Sequence, residues 1–175
     1  MNPDLQQLQR AITYSLRGLD SAQTQLRPKS HRDRWTIQQI IEHLLLTYSS
    51  TETTIDARLE KRSPTRAKPS LMQRIGQYTV IRLGYFPHGR KAPAMVMPAA
   101  TEKPLSGEVL THSAGEHLFR LDAICDEGEK LFGAVQCASH HVLGPLSISQ
   151  WRKFHLIHGE HHVRQILAIR KAYGL

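Results

Sequence analysis

The sequence predicts an all-α protein, a four-helix bundle with a long irregular connection between its second and third helices. Three observations carry that expectation. Apolar residues recur at helical spacing over four long stretches, two of those stretches open on capping boxes, and strand signals are weak throughout. Residues 1–175 suit one domain with a sizeable core, and a hydrophobic content of 40% excludes disorder along the whole chain.

The first helix is expected from about Pro3 to Leu26. Asn2 stands at its cap, Pro3 at its first position, and Leu5, Leu8, Ile12, Leu16 and Leu19 form its apolar stripe, with Arg27-Pro28-Lys29-Ser30 as the stop. In the second helix, Thr36 and Gln39 form a capping box in which each side chain satisfies an orphan amide of the first turn. Trp35 and Ile40 sit where a hydrophobic staple would fix the entry of the chain, and the helix should reach about Lys61, before Ser63-Pro64. Residues Ser70 to Leu83 suggest a short helix closed by Gly84. Pro93, Pro98 and Pro104 then argue for an irregular connection over the bundle.

The third long helix spans about Ser106 to Phe132, with Leu110, Ala114, Leu118, Leu121 and Cys125 on its apolar face. The last repeats the device of the second. Ser147 and Gln150 make its capping box, Leu146 and Trp151 its staple, and it should run to about Tyr173 with Gly174 past its end.

No apolar run approaches the ~20 residues a membrane span requires, and the N-terminus does not read as a signal peptide, so a cytoplasmic location without a membrane partner is expected. Cys125 and Cys137 form neither a CxxC site nor a disulfide framework and read as free thiols. The net charge of +8 and a pI near 9.8 invite a nucleic-acid reading. The basic residues look scattered, however, and no zinc-finger spacing or RNP motif accompanies them, which ranks nucleic acid last. Positive potential would equally draw in a small anionic substrate.

The chemistry concentrates in His155-Leu156-Ile157-His158-Gly159-Glu160-His161-His162. On a helix His158 and His162 stand one turn apart on one face, a spacing that lets two imidazoles reach one metal ion. The motif is not the zinc-protease HExxH, because Gly159 occupies the position of the general-base glutamate. His43, in a well-capped helix, is a third candidate. A buried imidazole needs a hydrogen bond or a metal, and the pattern alone leaves both open. Three imidazoles with one open position would make the catalytic type of zinc site.

Two stretches carry a resemblance. Trp35-Thr36-Ile37-Gln38-Gln39-Ile40-Ile41-Glu42-His43-Leu44, and His141-Val142-Leu143-Gly144-Pro145-Leu146 followed by Trp151 and His158 to Gln165, resemble the DinB/YfiT-like metalloenzyme family, the second an uncharacterised DinB-like subfamily of it. The resemblance implies an up-down-down-up bundle with zinc or nickel held by one histidine of the second helix and two of the last, matching His43, His158 and His162. It further implies a transferase, with low-molecular-weight thiols used by several relatives, or a hydrolase acting on a small substrate, and it makes a homodimer an expectation. The reactive group would be a metal-bound water or thiolate. The alternative is a non-catalytic dimerising or ligand-binding bundle.

Around that triad, His155 is a candidate proton carrier or a surface residue, and His161 and Gln165 are candidates to orient the ligands from behind. His117 reads as a core histidine, His140 and His141 as rim residues, and His31, His88 and His112 as solvated.

Overall fold

The computed structural model describes residues 1–30, 33–87 and 92–175. His31 and His88, expected to be solvated, lie outside the described residues. Within them the chain is mostly helical: α1 (Pro3–Leu16), α2 (Ile37–Glu60), α3 (Leu71–Gln77), α4 (Gly107–Phe132) and α5 (Ile148–Tyr173), with a small antiparallel hairpin of β1 (Ala138–His140) and β2 (Gly144–Leu146). None of these helices is long and apolar enough to cross a membrane.

Both expected capping boxes form. Thr36 and Gln39, and Ser147 and Gln150, exchange side-chain and backbone bonds in both directions, so the starts of α2 and α5 are fixed. A third box, Ser70 with Gln73, starts α3, which continues into a π-helical turn at Tyr78–Arg82. A 3₁₀ turn at Ala94–Val96 packs on α2, so the long connection is more ordered than its prolines suggest.

The first helix ends well before Leu26. Gly18 takes a left-handed backbone (φ +75°), a conformation costly for residues with a Cβ, and the Leu19 amide bonds back to the Leu16 carbonyl. Leu19 still reaches the core, which is why the stripe continues past the end of the helix. Asp20 and Gln23 then bond each other's amides to start a short 3₁₀ turn at Gln23–Gln25.

The hairpin departs from the all-α expectation. Its three-residue strands are too short to show a period of two, and they are held by a side chain: His140 Nδ1 accepts from the amides of Val142 and Leu143, both at 3.1 Å. The hairpin delivers the chain to Ser147.

The four longest helices share one core. α1 packs on α4 and α5, and α2 packs on the same two. Leu5, Leu8, Ile12 and Leu16 of α1, Ile41, Leu44 and Tyr48 of α2 and Leu118 and Leu121 of α4 belong to one buried cluster, and each such leucine stabilises the fold by ~1.5–3 kcal/mol. Cys125 and Cys137 are buried free thiols.

Among the described residues two charged ones, Asp122 and Arg152, are buried within this apolar frame. Arg152 of α5 pairs with Asp122, Asp126 and Glu129 of α4, its Nε 3.4 Å from Asp122. Asp122 also accepts the amide of Asn2 at 3.0 Å, so one cluster ties α1, α4 and α5 together. Desolvating the guanidinium is costly unless several carboxylates surround it, as they do here.

Candidate metal centre

His43 lies two turns into α2 and His158 and His162 lie in the middle of α5, where no end fraying reaches them. All three are buried, with side chains facing one another across the α2–α5 contact. His43 Nε2 is 3.3 Å from His158 Nε2, and His162 Nε2 is 3.0 Å from the same atom. The three nitrogens all lie within 4.8 Å of one another. Tetrahedral ligation at ~2.0–2.1 Å places nitrogens about 3.3 Å apart, so two of the three pairs already stand near that separation. These three histidines can hold a metal ion.

The tautomers follow from the bonds behind the rings. His43 Nδ1 lies 2.7 Å from the Val96 carbonyl, which only accepts, so Nδ1 carries the proton and Nε2 is a bare lone pair. His162 Nδ1 donates to Gln165 Oε1 at 2.9 Å, which leaves its Nε2 bare as well. Both lone pairs converge on His158 Nε2. A single proton there serves one of them well, whereas a cation would serve all three.

Burial, reinforced by the neighbouring imidazoles, pushes the His158 pKa well below the usual range and His162 down to about 3. Burial lowers His43 too, against the Val96 bond, which raises it. Neutral imidazole is the ligating form, so the donor set fits a divalent metal without prior deprotonation. No fourth His, Cys, Asp or Glu joins the group among the described residues.

Gln165 bridges the two histidines, accepting from His162 and donating Nε2–H to His161 Nε2 at 3.1 Å. His155 does not lie on the surface. It is fully buried, and its Nε2 donates to Thr51 Oγ1 at 3.0 Å, because the Thr51 hydroxyl is committed to the Thr47 carbonyl. Burial holds it near 3, and its ring packs against Tyr48 and Trp151, so it braces α5 against α2.

His117 faces its own helix, bonded to the Ser113 carbonyl at 2.9 Å. His112 is solvated beside Glu116. His140 packs on Phe154 and Trp151 and supports the hairpin turn.

An aromatic wall, which the sequence reading missed, borders the site. Phe154 stacks on His158 (interplanar 15°, centroids 5.3 Å), and its position one turn before His158 is the single signal that could have pointed to it. Phe86, from the connection, lies 4.9 Å from His158 and 5.1 Å from His161. Trp35 lies 4.8 Å from His43 and 6.3 Å from His162, so the staple residue also borders the site.

Gly159 has a packing reason rather than a chemical one. A Cβ there would stand 2.3 Å from Leu8 Cδ1, so the glycine lets α1 approach α5 directly behind the ligands.

Comparison with protein-family models, curated proteins and solved structures finds no match to this chain.

Proposed function

We propose that this protein is a metal-dependent enzyme of the DinB/YfiT type, a transferase (thiol-dependent where the substrate is a low-molecular-weight thiol) or a hydrolase acting on a small molecule. The observation that carries the reading is the convergence of three neutral imidazole Nε2 atoms with no fourth protein ligand among the described residues. Structural zinc sites are closed by four protein ligands, while catalytic ones keep a position open.

His43, His158 and His162 would hold zinc or nickel. Bound there, the ion would supply Lewis acidity, which brings a thiol or water toward ionisation at neutral pH. The protein's own part is orientation and exclusion of water. The Val96 carbonyl fixes the His43 ring and Gln165 fixes that of His162. Trp35, Phe86 and Phe154 surround the ligands with apolar surface, which strengthens electrostatic interactions inside the site.

Elemental analysis of protein purified without a histidine tag tests the reading. About one zinc or nickel per chain is expected, lost in a His158→Ala/His162→Ala variant that keeps its helical circular dichroism. A wild type that takes up neither metal on incubation overturns the proposal. Loaded protein then goes to parallel thiol-transfer and hydrolase screens, and turnover that disappears with the ligands assigns the reaction class.

A further inference from the structure

The helix formed by α3 and its π-helical extension, residues 71–82, carries an apolar face that the core does not use. Spaced at i, i+4 and i+7, Leu71, Ile75 and Tyr78 share one face with Met72 beside them. That face points outward: Leu71 is 74% exposed, Met72 73%, Ile75 50% and Tyr78 60%. Leu83 and Tyr85, just beyond, are exposed too.

The inward side is mixed: Val80 is buried in the core and Ile81 packs against it, and the remaining contacts are polar or small. Gln77 Nε2 donates to the carbonyls of Leu143 at 2.7 Å and Pro145 at 2.9 Å, Gly76 sits against Leu143, and Gln73 closes the cap on Ser70. An ordinary surface helix of a globular protein turns its apolar stripe to the core. Here Val80 alone of the segment is fully in the core, and the hydrogen bonds of Gln77 to the hairpin hold the Leu71, Ile75 and Tyr78 face outward.

The charge has the same address. Between Glu60 and Glu102 the sequence holds eight Lys and Arg and no Asp or Glu, while the rest of the chain carries fifteen residues of each sign. The entire net charge of +8 therefore belongs to this segment, a concentration hidden when the basic residues are read as scattered. Arg74 and Arg82 stand exposed on the helix itself, with Lys68 just before it.

We infer that residues 71–82 form an interfacial helix that docks this protein on an anionic lipid surface. Leucine, isoleucine, methionine and tyrosine would enter the headgroup–acyl boundary while the arginines pair with lipid phosphates. Nucleic acid would use the arginines and leave the apolar stripe without a role. A second copy would bring an equal positive charge against this one. The expectation of no membrane partner rested on the lack of a spanning segment, which does not bear on a helix lying flat. Docking stands independently of any metal.

Co-sedimentation of the full chain with vesicles tests the assignment, using pure phosphatidylcholine against phosphatidylcholine and phosphatidylglycerol in equal parts. Binding is expected to the anionic vesicles alone and to weaken as salt is raised. Arg74→Gln/Arg82→Gln should lower the partition coefficient about 30-fold, from ~1 kcal/mol for each basic residue at the surface. Leu71→Ser/Ile75→Ser, exposed and so compatible with folding, should abolish it with circular dichroism unchanged. No binding to anionic vesicles overturns the inference, as does equal binding to neutral ones or binding indifferent to Leu71→Ser/Ile75→Ser. A dimer in sedimentation equilibrium that dissociates on those same substitutions would give the face to a second copy instead.

Discussion

Behind each histidine of the triad stands a different support, and the differences set what substitution there should do. His43 leans on a backbone carbonyl, which no side-chain change removes. His162 depends on Gln165, whose amide is shared with His161. Among the described residues His158 Nδ1 is buried without a hydrogen-bond partner, and Phe154 and Phe86 pack against its ring. Gln165→Ala is therefore expected to leave all three ligands present but weaken zinc affinity ~10–100-fold, the usual effect of losing a hydrogen bond behind a ligand. Chelator competition measures it. An unchanged affinity would mean that the helix alone positions His162.

At the scale of elements, α1 and α5 meet where Gly159 faces Leu8, directly behind the ligand pair. Gly159→Ala gains ~1 kcal/mol of helix propensity but forces a Cβ into a fully buried leucine, and overpacking of that kind costs ~1–3 kcal/mol. A net destabilisation of about 1 kcal/mol is expected in chemical denaturation. Leu8→Ala alone should cost ~2–5 kcal/mol through the cavity it leaves. The pair Leu8→Ala/Gly159→Ala should cost less than the sum of its parts, since the new methyl enters the space vacated. Strict additivity would show that the two helices separate at this contact instead of holding their approach.

For the molecule as a whole, the buried histidines couple stability to pH. His140, His155 and His162 have folded pKa values near 3, lowered chiefly by burial, against an ordinary value of 6.5. The unfolded chain therefore takes up protons first as pH falls. Their contribution is complete above about 6.5 and is lost progressively between there and about 3. His140 isolates one such group away from the ligands, because protonating Nδ1 would remove the acceptor for two hairpin amides. His140→Asn keeps an acceptor that does not titrate. It should reduce the slope of unfolding free energy in this window by about one proton, ~1.4 kcal/mol per pH unit. Urea denaturation at stepped pH gives that slope, and an unaltered one would place the His140 proton elsewhere.

Local chemistry was legible in the sequence. Thr36 with Gln39 and Ser147 with Gln150 start their helices as expected, because a capping box involves residues three apart and needs no tertiary partner. The i, i+4 spacing of His158 and His162 likewise fixes their common face before any folding. Tertiary structure decided the rest. It brought His43 across to that pair, turned His155 inward to Thr51, and stopped the first helix at a left-handed Gly18 while Leu19 continued into the core. It built the hairpin from strands too short to show a period, and surrounded Arg152 with three carboxylates of α4. It also turned the apolar stripe of residues 71–82 outward, since periodicity defines a face but not its direction. Sequence patterns report contacts within a turn or two of the chain; which distant surface each face meets is set by packing of the whole.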